Sequence, residues 1–126
     1  MTRILFVDDE PNIRDGMRRM LRSMRNEWDM EFAESGDAAL LTIDEWRNAG
    51  KPFDVVVSDM RMPGMDGIEA ARHMNALDEP PAVIFTTAHD EHALEAFEAQ
   101  AIGYLLKPVR LEKLARAIRR AARVAG

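Results

Sequence analysis

Five short apolar runs alternate with longer amphipathic segments along the chain, and this alternation constrains the fold more than any other feature. The first, third and fourth runs are almost unbroken Val, Ile, Leu and Phe, a pattern typical of strands buried on both faces of a sheet. The second run is shorter and alternates, which predicts an edge strand. The predicted strands cover residues 3–8, 30–34, 53–58, 82–87 and 102–106.

The segments between these strands have the 3.6-residue period of amphipathic helices. Pro11 suits the first turn of the first helix, and Gly50 is expected to close a second helix marked by Ala38, Leu41 and Trp46. Further helices are predicted from residue 66 onward, over residues 91–98 and around residues 111–122, and the first of these begins with a capping-box pattern, Asp66 followed by Glu69. This (βα)5 order predicts a doubly wound α/β sandwich around a parallel sheet.

Size and composition exclude several classes of protein. The 126 residues suit one domain, expected to be 1–126, and the absence of cysteine excludes disulfides, thiolate metal sites and thiol catalysis. No apolar run approaches the roughly 20 residues of a membrane helix, and no secretory signal is visible. The net charge of −5 does not favour nucleic acid as a direct partner. We expect a cytoplasmic domain that contacts neither membrane nor nucleic acid.

Reactive side chains follow the predicted strands at the point where each strand ends. Asp8 and Asp9 follow the first strand, Asp59 ends the third, Thr87 ends the fourth, and Lys107 follows the fifth. Because ligands of open parallel sheets bind outside the carboxyl ends of the strands, we expect these groups to share one rim. Crowded carboxylates without thiolates indicate Mg²⁺ rather than Zn²⁺, and Mg²⁺ with a lysine suits phosphoryl transfer to a carboxylate.

Four motifs carry a resemblance to a known family: FVDDEP (6–11), VSDMRMPGMDG (57–67), TTA (86–88) and YLLKP (104–108). In this order and spacing the sequence resembles the receiver domains of two-component response regulators, which have the chemotaxis-receiver type of fold. The resemblance implies a flavodoxin-like sheet in the order 2-1-3-4-5. It also implies phosphorelay signalling with a sensor histidine kinase as the donor, and no turnover of an external substrate.

The resemblance further assigns roles to individual residues. Asp59 is the implied phosphoacceptor, Asp9 a direct Mg²⁺ ligand, and Asp8 a ligand acting largely through water. The backbone carbonyl of Arg61 is expected to complete the protein's share of the coordination. The side chains of Arg61 and His89 occupy positions that tune dephosphorylation in this family.

A conformational switch is the second implication of the resemblance. Thr87 is expected to move toward the phosphoryl group while Tyr104 turns inward, and Lys107-Pro108 is expected to be a cis peptide. The arginines of the fifth helix share one face at helical spacing, which is typical of a solvated surface favoured by the helix dipole. The alternative is a homodimer through the fourth helix, fifth strand and fifth helix, in which these arginines face Asp90, Glu91, Glu95 and Glu98 of the fourth helix. These arginines are 116, 119, 120 and 123.

The two halves of the sequence resemble different receivers. From about residue 80 onward the chain resembles receivers of LytTR-type transcription regulators, whereas residues 3–23 are more similar to receivers attached to HD-type hydrolase outputs. Divergence and a hybrid joined within the MPGMDG loop both explain this difference. Because no output domain follows residue 126, we expect either a stand-alone receiver or part of a longer regulator.

Two other functions compete with a phosphoacceptor. The first is a metal-dependent aspartyl phosphatase of the haloacid-dehalogenase type, but that type has two aspartates spaced by two residues at the first strand, which FVDDEP lacks. The second is a phosphorylation-independent pseudo-receiver, which usually lacks an acidic residue, the threonine or the lysine. All of these residues are present here.

Overall fold

The computed structural model describes residues 1–88 and 93–125, in which five parallel strands form one sheet. The sheet order is β2-β1-β3-β4-β5, as the resemblance implied, and β2 lies at an edge as predicted, although it is as long as β1 and β4. The strands are β1 Thr2–Val7, β2 Trp28–Ala33, β3 Val55–Asp59, β4 Ala82–Thr87 and β5 Gly103–Leu106. The predicted bounds are therefore correct to within two residues.

Helices cover both faces of this sheet. They are α1 Pro11–Met20, followed by a short 3-10 helix Leu21–Met24, α2 Gly36–Asn48, α3 Gly67–Asn75, α4 Ala93–Glu98 and α5 Leu111–Ala125. One core cluster joins α1 and α5 to the sheet, and a second joins α2, α3 and α4 to its other face. Residues 91 and 92, predicted as the start of the fourth helix, lie outside the described residues.

The helix ends follow the local sequence. Pro11 is the first residue of α1, as predicted. The Asp66 carboxylate accepts a hydrogen bond of 2.9 Å from the backbone N–H of Glu69, so the predicted cap of α3 is confirmed. Helix α2 ends at Asn48, and Gly50 lies just beyond with φ of +79°, a conformation that favours glycine.

One apolar residue used to mark α2 does not belong to its buried face. Leu41 is 66% exposed, whereas Ala39 and Ile43 are buried against the sheet. The same helix contributes Trp46 to an unexpected cluster, in which the guanidinium of Arg3 lies 4.4 Å from the Trp46 ring centre. Arg3 also forms an ion pair of 2.9 Å with Asp29, so its charge is compensated although the residue is only 8% exposed.

Candidate functional site

Three carboxylates meet at the carboxyl edge of the sheet. Strands β1 and β3 are neighbours with Val7 opposite Ser58, so the residues that follow, Asp8 and Asp59, lie side by side. One carboxylate oxygen from each of Asp8, Asp9 and Asp59 lies within 4.8 Å of the others. Asp8 and Asp59 are buried, and Asp9 is half-buried. The shared rim predicted from the strand ends is therefore present.

The ammonium group of Lys107 joins this cluster from the end of β5. Its Nζ lies 3.1 Å from Asp8 Oδ2 and 3.3 Å from Asp59 Oδ2. The lysine side chain is only 18% exposed, so water screens both ion pairs weakly. One cation faces three carboxylates, and with all four groups ionised the cluster has a formal charge of −2.

The ionisation of these groups reflects their burial and proximity. Burial raises the pKa of the Asp59 carboxyl, and the nearby Asp8 raises it further, while Lys107 opposes both effects. Burial of Lys107 works against its charged form, but the attraction of Asp59 and Asp8 outweighs this and raises the pKa of Lys107 above its ordinary value. The lysine is therefore charged at neutral pH, while the cluster favours an additional cation.

Backbone contacts hold the first aspartate in place. The Asp8 Oδ1 atom accepts a hydrogen bond of 3.0 Å from the backbone N–H of Glu10. Arg14 of α1 donates from Nη1 to the carbonyl oxygen of Asp8 at 2.8 Å. Neither Asp8 nor Asp9 caps α1, because its N-cap residue is Glu10 and no side chain accepts a capping hydrogen bond there. Asp8 and Asp9 therefore do not act as side-chain caps of α1.

The turn after β3 approaches Asp59 too closely for any side chain at Gly67. A Cβ atom at Gly67 would lie 2.1 Å from the backbone oxygen of Asp59. That oxygen also accepts a hydrogen bond of 2.9 Å from the Ser58 hydroxyl, and the Gly67 N–H donates to the carbonyl of Met60 at 3.0 Å. Gly67 and Ser58 thus fix the Asp59 backbone, a role that sequence reasoning missed. A glycine directly after a helix cap was the available signal.

The side chain of Arg61 is directed toward two acidic residues outside the carboxylate cluster. Its Nη1 lies 3.1 Å from Asp66 Oδ2, and its Nη2 pairs with Glu95 of α4. The hydrogen bond to Glu95 is the main cause that raises the pKa of Arg61. The backbone N–H of Arg61 acts to lower the pKa of the Asp59 carboxyl, against the larger raising effect of burial. The ligand role of its carbonyl oxygen stays a prediction.

The two residues of the expected switch lie on the neighbouring strands β4 and β5. Thr87 ends β4 and is buried, and its carbonyl accepts a 2.7 Å hydrogen bond from the backbone N–H of Lys107. Tyr104 lies opposite Phe85 on β5 and is half-buried. The peptide between Lys107 and Pro108 is cis, as the resemblance implied. His89 lies outside the described residues.

A family profile described as "Response regulator receiver domain" matches residues 4–119. The chain therefore belongs to the receiver-domain family of two-component response regulators. This membership in a family of signalling domains contradicts the aspartyl phosphatase alternative.

The curated relatives include bacterial regulators about twice as long as this chain. It is 47% identical over 121 residues to the positive alginate biosynthesis regulatory protein of Pseudomonas aeruginosa, covering 95% of this chain and 47% of that protein. It is 33% identical over 124 residues to the sensory transduction protein LytT of Bacillus subtilis, covering 98% and 49%. The likeness to LytT-type regulators is thus confirmed, and it is not confined to the second half of the sequence.

Solved receiver structures have the same fold. A response regulator receiver domain protein from Clostridium thermocellum superposes with a TM-score of 0.83 at 28% identity, covering 98% of this chain and 96% of that one. The chemotaxis protein CheY4 of Vibrio cholerae gives 0.81 at 29% identity, covering 96% and 98%. Within residues 1–88 and 93–125, no helix combines the length and the apolar character needed to cross a membrane.

Proposed function

We propose that this receiver domain accepts one phosphoryl group on Asp59 in a Mg²⁺-dependent reaction, with a phosphohistidine of a sensor kinase as the donor. One observation carries this proposal. The carboxylates of Asp8, Asp9 and Asp59 converge within 4.8 Å, and Lys107 lies 3.3 Å from the reacting carboxylate. A phosphoryl acceptor requires both a nucleophilic oxygen and compensation for the charge of the arriving group.

The donor set fits a hard divalent cation. It consists of carboxylate oxygens without sulfur or nitrogen, and Mg²⁺ prefers one or two carboxylates together with water and phosphate oxygens. We assign Asp9 and Asp59 as direct ligands, Asp8 as a ligand through water, and the Arg61 carbonyl as a further oxygen. When bound, Mg²⁺ would supply positive charge next to the transferred group.

The transfer itself needs few changes in the protein. An oxygen of ionised Asp59 attacks phosphorus, the P–N bond of the phosphohistidine breaks, and the released imidazole nitrogen keeps the bonding electron pair. The product is an acyl phosphate, and no atom changes its oxidation state. Lys107 then shifts from pairing the free carboxylate to neutralising a phosphoryl oxygen, which is possible because its ammonium already lies beside Asp59.

The output of this reaction is assigned to the switch pair. We propose that the Thr87 hydroxyl bonds the phosphoryl group and that Tyr104 follows it inward, changing the surface of α4, β5 and α5. Homodimerisation on that side is the proposed consequence in the cytoplasm, with Glu95 and Glu98 supplying acidic groups from α4. Asp90 and Glu91, also expected there, lie outside the described residues. The relatives' names suggest a regulatory output, and we propose the same for this receiver.

A mass measurement tests the phosphoacceptor role. The protein is incubated with a small phosphodonor such as acetyl phosphate and Mg²⁺, and its intact mass is followed. We expect one phosphoryl group to be added, none in EDTA, and none for Asp59→Asn. Asp44→Asn is the matched control, because Asp44 is an exposed aspartate on α2 and should leave the reaction intact. An unchanged mass under every condition would instead identify a pseudo-receiver.

A further inference from the structure

The basic residues of this acidic protein are concentrated on two segments of the chain. Eleven of the 17 Lys and Arg residues lie within residues 11–25 and 110–125, and only two of the 22 Asp and Glu residues lie there. These segments have a formal charge of +9, whereas the remainder of the chain has −14. The net charge of −5 is therefore the sum of a strongly basic part and a strongly acidic part of the chain. It does not describe the local charge near the basic segments.

The fold brings the two segments together on one face. Helices α1 and α5 pack on the same side of the sheet, where Met17 and Leu21 share a core cluster with Leu114 and Ile118. Arg119 of α5 pairs with Glu27, just after the 3-10 helix, at 2.8 Å. We name the exposed arginines of this surface the basic face: Arg18, Arg22, Arg25, Arg116, Arg119, Arg120 and Arg123.

Most of these arginines are available to a ligand. Arg18 is paired with Asp15 and Arg119 with Glu27, but the other five have no ion pair in residues 1–88 and 93–125. Arg18, Arg22 and Arg25 line one open depression beside strand β2. Helix α5, of 15 residues, extends the face over about 22 Å at about 1.5 Å per residue. That length is enough to follow several phosphates of a nucleic-acid backbone.

The composition of the face favours a phosphate backbone over a protein partner, so we assign the arginines of α5 to this face and not to the acidic groups of α4 in the proposed dimer. The exposed residues of α5 between 116 and 123 are all arginine, and the half-buried ones are Ala117 and Ala122. Large aromatic or aliphatic anchors, which dominate the energy of protein interfaces, are missing from the surface of this stretch. Arginine is also the side chain best suited to bind phosphate through two hydrogen bonds.

Among the residues that the structure describes, the basic face has no exposed aromatic ring on which a base could stack. This favours a duplex as the ligand over single-stranded nucleic acid. Trp28 lies beneath Arg119 but is only 2% exposed, and Phe32 is half-buried with the Arg18 guanidinium over its ring. Single-strand binding proteins rely on exposed rings that stack bases. We therefore propose that the basic face binds the phosphate backbone of double-stranded nucleic acid without reading its sequence, while the acidic remainder orients the domain by repulsion.

A titration with a labelled DNA duplex tests this proposal on the 126-residue protein. Fluorescence anisotropy is measured with a duplex of about 20 base pairs between about 50 and 200 mM salt. We expect the duplex to bind at low salt, and the logarithm of the binding constant should fall linearly with the logarithm of the salt concentration. The variant Arg116→Gln/Arg120→Gln/Arg123→Gln should bind at least tenfold more weakly, and its salt slope should fall by about 0.9 for each phosphate that it no longer neutralises. Arg119 is left intact because it is paired with Glu27 and lies over Trp28.

A variant of equal charge separates the face from the charge of the whole protein. Arg47→Gln/Lys51→Gln/Arg72→Gln removes three positive charges elsewhere and should bind the duplex like the wild type. Equally weakened binding by both variants, or no binding at about 50 mM salt, would overturn the proposal.

Two further results would also overturn the proposal and assign the face to a protein partner. One is a preference for polyglutamate over the duplex. The other is self-association that Arg116→Gln/Arg120→Gln/Arg123→Gln abolishes, without any duplex binding. Asp59→Asn should bind normally, so this test does not depend on phosphorylation.

Discussion

The Lys107 ammonium lies 3.3 Å from a carboxylate oxygen of Asp59, although 48 residues separate the two in sequence. The contact exists because β3 and β5 flank β4 and end at the same edge of the sheet. The Lys107 ammonium compensates the negative charge of the Asp59 carboxylate, whose side chain is only 10% exposed. The same ammonium also forms an ion pair with Asp8. The lysine and a metal ion therefore compete for the same carboxylates, which gives Lys107 and the acidic residues opposite effects on metal binding.

Lys107→Ala should leave Mg²⁺ affinity unchanged or increase it, because the substitution removes a cation that competes for Asp8 and Asp59. The same variant should lose the conformational response to phosphorylation, because nothing then bridges the phosphoryl group and β5. Calorimetric Mg²⁺ titration and the dimer fraction after phosphodonor treatment measure the two effects. Lys51→Ala, an exposed lysine between α2 and β3, is the control for both. A Lys107→Ala protein with much weaker Mg²⁺ binding would contradict the proposed geometry.

Asp9→Asn should reduce Mg²⁺ affinity by about tenfold or more, since it removes a charged oxygen ligand from a small cation that prefers carboxylates. Asp9 has no ion pair in the described part of the chain, so the weaker binding cannot be attributed to a broken salt bridge. Glu10→Gln is the matched control, because Glu10 is exposed next to Asp9 but does not belong to the cluster. Equal affinities of the two variants would remove Asp9 from the proposed ligand set.

Sequence periodicity predicted the strands and the rim because both depend on local pattern. Unbroken apolar runs indicate buried parallel strands, and a polar residue directly after such a run must lie at the sheet edge. Side-chain partners depend on the folded geometry instead. Arg14 of α1 binds the Asp8 carbonyl, a contact that no local pattern indicates, and Leu41 was used to mark α2 but is exposed. The charge of the α1 and α5 face also emerged only when the fold brought both helices together.

Asp59 should contribute less to the stability of the metal-free protein as pH rises from the ordinary Asp value through its own raised pKa. Burial raises that pKa above its ordinary value, so the folded state holds the proton more tightly than the unfolded state does. Asp59→Asn cannot ionise, and at neutral pH in EDTA it should be more stable than the wild type by on the order of 1 kcal/mol.

The stability difference should shrink as pH is lowered toward the ordinary Asp value of about 3.9, because wild-type Asp59 is then increasingly protonated in both states. Urea unfolding of the wild type and Asp59→Asn at several pH values measures this difference in the free energy of unfolding. Added Mg²⁺ should make the wild type the more stable of the two, because the ion binds the wild type preferentially. A variant less stable than the wild type in EDTA at neutral pH would show that Lys107 already compensates Asp59 fully.

Gly67→Ala should destabilise the protein by about 3 kcal/mol and slow phosphorylation together. The new methyl group would lie 2.1 Å from the Asp59 backbone oxygen, so either α3 or the end of β3 must move. Gly16→Ala makes the same chemical change in α1, where only the end of the Arg19 side chain lies at 4.0 Å, and it should stabilise the helix by about 0.5–1 kcal/mol. Urea unfolding and phosphodonor kinetics on both variants separate the steric contact from helix propensity. If Gly67→Ala were as stable and as readily phosphorylated as the wild type, the close approach of α3 to Asp59 would not be what positions the acceptor.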